Sequence, residues 1–147
     1  MTTTPIDPSG QTTPSVLFVC VKNGGKSQMA AALMRQLCGG QVQVHSAWTE
    51  PGSKLNEASR ASVERIGASF DGEHPKPIDP ELLRRVDRVV VIGNEAVVDS
   101  VEGMRGSIET WATDEPSERG IAGVERMELI REDLSRRVAA LRDELVG

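Results

Sequence analysis

A chain of 147 residues with a net charge of −5 can bury one sizeable core, and its acidity argues against nucleic acid or an anionic membrane as a partner. No apolar run approaches the ~20 residues of a membrane span, and two cysteines do not make a disulfide framework. The expectation is a cytoplasmic protein with reduced thiols, whose core is built from Val, Leu, Ile, Ala and Met because aromatic residues are scarce.

Residues 1–14 are rich in Thr and Pro and lack periodicity, which predicts a disordered leader ahead of one domain over 15–147. Val16–Val19 reads as a buried strand running into Cys20. A polar, glycine-rich loop follows, then an amphipathic helix over Ser27–Leu37, stopped by Gly39 and Gly40. A strand over Val42–Ser46 precedes the turn-rich stretch 49–53 and a helix over Asn56–Ile66, with Gly67 as its stop. After a loop with Pro75 and Pro77, Asp79-Pro80-Glu81 reads as cap, first-position proline and acidic first turn of a short helix to Arg85. Asp87–Ile92 is a buried-type strand ended at Gly93. A short helix is expected near Glu95–Ser100, and a fourth strand over Ser107–Trp111. The last helix spans Val124–Leu145, with Met127, Ile130, Leu134, Val138, Leu141 and Leu145 as its stripe. Strands alternating with helices predict an α/β domain whose parallel sheet is covered on both faces.

The chemistry concentrates at Cys20-Val21-Lys22-Asn23-Gly24-Gly25-Lys26-Ser27. A thiol at the carboxyl end of a strand sits where open α/β sheets bind ligands. Loop N–H groups and the start of a helix face the same point, which favours an anion there and favours Cys20 as thiolate. Asn23 can brace the loop. Gly24 and Gly25 permit positive φ and a close backbone approach, Ser27 can donate to the thiolate, and Lys22 adds positive charge. The Gly25-Lys26-Ser27 triplet does not make a nucleotide-binding loop, because the glycine required five positions earlier is Cys20. A lone cysteine at a strand end can also be a small buried hydrophobe; the loop is what favours a nucleophile. His45 and His74 are isolated, and no metal site is expected. Arg84, Arg85 and Arg88 form either an exposed face or a site for an anionic cosubstrate.

Cys-x2-Asn-x2-basic-Ser after a Val-rich strand and before Gln28-Met29-Ala30-Ala31 resembles the loop of the low-molecular-weight protein tyrosine phosphatase superfamily. It is most similar to the arsenate reductases of actinobacteria that use mycothiol. The likeness continues through Val44-His45-Ser46-Ala47, Pro75-Lys76-Pro77-Ile78-Asp79, Asp87-Arg88-Val89-Val90, Trp111-Ala112-Thr113-Asp114-Glu115-Pro116 and Arg131-Glu132-Asp133. A single three-layer domain with a four-stranded parallel sheet in the order 2-1-3-4 is the fold expected. The resemblance implies Cys20 as nucleophile, Lys26 as the basic residue of the loop and Asp114 as general acid. Val21, Lys22, Asn23, Gly24, Gly25 and Ser27 would bind substrate, and Ser46 would hydrogen-bond Asn23. Glu115 competes with Asp114 for the acid role because it directly precedes Pro116.

Three departures matter. Lys26 stands where most of the superfamily has arginine, giving a point charge instead of a planar fork. The stretch 93–100 has no thiol where thioredoxin-coupled reductases carry two. Ser46-Ala47-Trp48 replaces the usual Ser-Ala-Gly. The other cysteine, Cys38, lies ~15 Å along the first helix, beyond disulfide reach. The reducing thiol is therefore expected from outside. The resulting expectation is an arsenate–mycothiol transferase: the Cys20 thiolate attacks arsenate, a small thiol takes over the arsenic, and an external redoxin yields arsenite, with no tightly bound cofactor. The alternative enzyme is a phosphatase for phosphotyrosine or small phosphomonoesters, although Ser117 follows Pro116 where an aromatic is usual. A non-catalytic oxyanion-binding protein is the third reading.

Overall fold

The computed structural model describes residues 13–21, 25–50, 55–70, 74–113 and 115–146. Four parallel strands, β1 (Ser15–Cys20), β2 (Gln43–Trp48), β3 (Arg88–Ile92) and β4 (Ser107–Trp111), form one sheet in the order β2-β1-β3-β4. The register aligns Val16 with Val44 and Arg88, and Arg88 with Ser107, so every strand runs toward the same edge. The helices are α1 (Lys26–Cys38), α2 (Glu57–Glu64), α3 (Pro80–Arg85) and α4 (Gly123–Val146), with short 3-10 turns at Gly39–Gln41 and Pro116–Arg119.

The strand period of two sorts the core. Val16 and Phe18 of β1 point to one face with Val90, Ile92 and Trp111, where they meet α1, Val63 of α2 and Met127, Ile130, Leu134, Val138 and Leu141 of α4. Phe18 and Trp111 pack with ring centroids 5.8 Å apart. Leu17 and Val19 point to the other face, with Val89, Val91, Ala47, Leu83 of α3 and Val86. The helix expected at Glu95–Ser100 does not form. Ala96, Val98, Val101 and Met104 instead lay an irregular stretch of chain over that second face. The consecutive β-branched residues Val97 and Val98 disfavour a helix, and a spacing of two between 96 and 98 suits extended chain.

The local signals behave as read elsewhere. Asn56 caps α2, its Oδ1 accepting from the Ser59 N–H at 2.9 Å, and Asp79 caps α3, accepting from the Glu81 N–H at 3.0 Å with Pro80 in the first turn. Gly39 ends α1 at a φ of 55°, where a side chain would be strained. Regular structure begins at Ser15, and the two residues before it already pack. Thr13 is buried, and the Pro14 carbonyl accepts from the Gln43 N–H at 2.8 Å. The disordered leader proposed for the start of the chain otherwise lies outside the described residues.

Candidate functional site

The site forms at the carboxyl edge of the sheet because the strands place it there. The period that turns Val16 and Phe18 toward α1 turns Cys20 the same way, so the thiol meets the first turn of that helix. Cys20 Sγ lies 2.9 Å from Ser27 Oγ, and Ser27 is fully buried. The carbonyls of Cys20 and Val21 are held from the β2 side, by the Thr49 N–H at 3.2 and 3.1 Å and by the Glu50 N–H to Val21 at 2.9 Å. These bonds fix where the loop departs. At its far end the Gly25 carbonyl accepts from the Met29 N–H at 2.9 Å and opens α1.

Gly25 differs from the expectation for it. Its φ is −124°, so it does not use left-handed freedom, and a Cβ there would make ordinary contacts with Ser59 and Asn56. Its contribution is that it has no side chain to cap α1, so the leading N–H groups receive no bond from it. Lys22, Asn23 and Gly24 lie outside the described residues, as does the expected Ser46–Asn23 bond. Ser46 itself is buried, and its hydroxyl accepts from Lys76 Nζ at 3.5 Å.

A cavity of about 620 Å³ opens beside the thiol, lined by Cys20, Val21 and Lys26 together with Ile92, Gly93, Asn94 and Glu95 after β3 and Ala112, Thr113, Glu115 and Glu118 after β4. Lys26 Nζ donates to Thr113 Oγ1 at 3.1 Å and to Glu115 Oε2 at 3.2 Å. Glu115 in turn accepts from Arg126 Nε at 2.9 Å and from Ser117 Oγ at 2.7 Å. Burial alone would raise the Glu115 carboxyl; hydrogen bonds from Ser117, Arg126 and Lys26, with the Lys26 charge, outweigh it and hold the group at about 2. Glu115 is thus held as a carboxylate, ion-paired with Lys26 and Arg126. Asp114 lies outside the described residues; its chain neighbours Thr113 and Glu115 both line the cavity.

The remaining residues sort by place. Cys38 is buried at the far end of α1 with its thiol on Met34 Sδ at 3.7 Å, and burial pushes that thiol up against the opposing charge of Arg142. Trp48 pairs with Cys20 in the β1–β2 register and its N–H bonds the Lys76 carbonyl at 2.8 Å, but it is not among the described lining residues. Arg88 pairs with Glu109 and Glu144 at the amino end of β3, and Arg84 pairs with Glu81. That edge of the sheet is opposite the cavity, so these residues face no cosubstrate bound there. His45 sits within β2 and His74 in a loop, and no metal-holding group of three or more His, Cys, Asp or Glu occurs among the described residues. No helix among them is long and apolar enough to cross a membrane. Thr113 and Arg126 escaped the sequence reading as site residues, and Ser117 entered it only as the residue that follows Pro116. Thr113 lay inside a stretch already noted, whereas nothing local marks Arg126.

Residues 15–145 match the low molecular weight phosphotyrosine protein phosphatase family. The chain belongs to that family. Among relatives of this phosphatase-family chain, the arsenate reductase of Bacillus subtilis is 27% identical over 103 residues, covering 69% of this chain and 73% of that protein. A thioredoxin-dependent arsenate reductase of Corynebacterium glutamicum superimposes with a TM-score of 0.75 at 27% identity, over 90% of this chain and 62% of that one. This chain thus spans less than two thirds of that neighbour's length. A tyrosine phosphatase of Erwinia amylovora superimposes at a TM-score of 0.77 with 15% identity, over 97% of this chain and 100% of that one. The phosphatase-family backbone is therefore common to reductases and phosphatases, and chemistry has to be argued from the site.

Proposed function

We propose that this protein is an arsenate reductase acting as an arsenate–thiol transferase in the cytoplasm. The observation that carries the reading is a thiol 2.9 Å from a buried hydroxyl, lining a cavity with one lysine among its described residues, with the other cysteine buried at the far end of α1. Relatives that carry the name arsenate reductase support the reductase part of the reading, one of them named as thioredoxin-dependent. In this mechanism the Cys20 thiolate attacks arsenate held by Lys26, Ser27 and the amides of residues 21–25. An As–S bond forms and an As–O bond breaks, and Asp114 gives its proton to the departing hydroxide. Arsenic remains pentavalent at this point. A low-molecular-weight thiol, with mycothiol the expected one, then takes the arsenic and releases Cys20 as thiolate. The thiol of an external redoxin attacks the small thiol's sulfur, which now carries the arsenic. The As–S electron pair leaves with arsenic as arsenite, and the two sulfurs are oxidised to a mixed disulfide.

The second reading is a phosphatase, which shares the thiolate and the acid and has the family's name behind it. Against an aryl phosphate stands the cavity wall, which has no aromatic ring among its described residues. One assay separates the readings. Arsenate turnover is measured with mycothiol, glutathione and thioredoxin in parallel, alongside phosphate release from an aryl phosphate. Turnover with mycothiol and little aryl phosphatase activity is expected. Aryl phosphate hydrolysis without thiol-dependent arsenate turnover would establish the phosphatase instead.

A further inference from the structure

Lys26 is the only cation among the described residues lining the cavity, and it already holds an anion. An ammonium has three N–H donors. Thr113 takes one at 3.1 Å and the Glu115 carboxylate takes another at 3.2 Å. Glu115 is held in place by its other oxygen, which accepts from Arg126 at 2.7 and 2.9 Å and from Ser117 at 2.7 Å. Both Lys26 and Glu115 side chains are about three-quarters buried, so solvent screens this pair less than an open surface pair. Arg126 enters from the first turns of α4, so the cluster ties the start of α1 to the start of α4 across the segment that follows β4.

The consequence is competition. An oxyanion that reaches Cys20 must draw the ammonium away from a tethered carboxylate, and it meets the repulsion of that carboxylate on the same wall. A doubly charged anion recovers about twice the Coulomb energy from Lys26, and meets about twice the repulsion from Glu115, that a singly charged one does, while the separation of Lys26 from Glu115 costs both the same. We propose that Glu115 is a built-in anion on Lys26 that raises the concentration any tetrahedral oxyanion needs to occupy the cavity, a threshold that doubly charged oxyanions pass and singly charged ones do not. Arg126 sets how firmly it competes. By drawing on the carboxylate from the other side, Arg126 weakens the hold of Glu115 on Lys26. The inference rests on the cavity being an oxyanion site, though not on arsenate turnover.

The test reads binding directly, as protection of Cys20 from iodoacetamide, followed by mass spectrometry of the Cys20 peptide. Phosphate serves as the divalent probe at mildly alkaline pH and perchlorate as a monovalent probe of the same shape. In the unaltered protein phosphate should protect and perchlorate should not. In Glu115→Gln phosphate should protect at a concentration roughly three- to tenfold lower, the scale of one partly buried ion pair, and perchlorate should begin to protect. In Arg126→Met the phosphate requirement should rise, the opposite direction. Loss of structure would weaken protection in both variants alike, so shifts of the same sign, or an unchanged Glu115→Gln, overturn the proposal. Phosphate failing to protect the unaltered protein overturns the oxyanion reading and this one with it. Protection without opposite shifts overturns this one alone.

Discussion

At the scale of single residues, two sulfurs with the same chemistry have been given different fates by position. Cys20 ends a central strand on the face of α1 and opens into the cavity; Cys38 is packed against Met34. Cys20→Ser should therefore abolish thiol-dependent arsenate turnover, whereas Cys38→Ser should leave it nearly intact. Steady-state rates of the two variants decide this, and equal loss in both would show that electrons leave through Cys38. Glu115 gives a second prediction. Its carboxyl is held at about 2 in the folded protein against an ordinary value of 4.5, so the unfolded chain binds its proton first. The depressed value contributes stability above about pH 4.5 that is lost as pH falls toward 2. Thermal denaturation between those limits should show a steep acid limb in the unaltered protein and a flatter one in Glu115→Gln.

At the scale of elements, the connection from β3 to β4 shows how much a glycine can carry without a special φ. A Cβ on Gly106 would stand 2.2 Å from the Asp87 carbonyl oxygen and 2.6 Å from that of Val86. Both obstacles are backbone, and the same corner is tied down by the Arg105 N–H on the Arg84 carbonyl and by Arg105 on Asp87. Gly106→Ala should lower stability by about 1–3 kcal/mol, the usual cost of overpacking, readable as a drop in the urea midpoint. Nothing in the sequence near 106 announces this, because the clash is with a strand start nearly twenty positions earlier. The missing helix at 95–100 has a related cause. The sheet face offers Ala96, Val98, Val101 and Met104 a place as extended chain, and tertiary burial outweighs a weak local preference.

At the scale of the whole molecule, the sheet works as a partition. One face is closed by α1, α2 and α4; the other is closed by short α3 and irregular chain. Stability should be concentrated on the first face. Leu134, fully buried there, should cost about 2–5 kcal/mol when cut to alanine. Val98, only partly buried on the other face, should cost clearly less, and chemical denaturation of both variants measures the difference.

The sequence by itself determined whatever depends on neighbours in the chain. Strand, loop and helix around Cys20, the caps at Asn56 and Asp79, the α4 stripe and the parallel order of the sheet follow from spacing, propensity and family likeness. It also placed Cys20, Val21, Lys26 and Ser27 at one edge, since a few consecutive residues carry them. Only the tertiary structure decided what Lys26 faces. Its partners Thr113 and Glu115 are 87 and 89 positions away, and Arg126 joins them from another helix. Such pairings leave no local periodicity to read, because they exist only once β1 and β4 have been brought into one sheet.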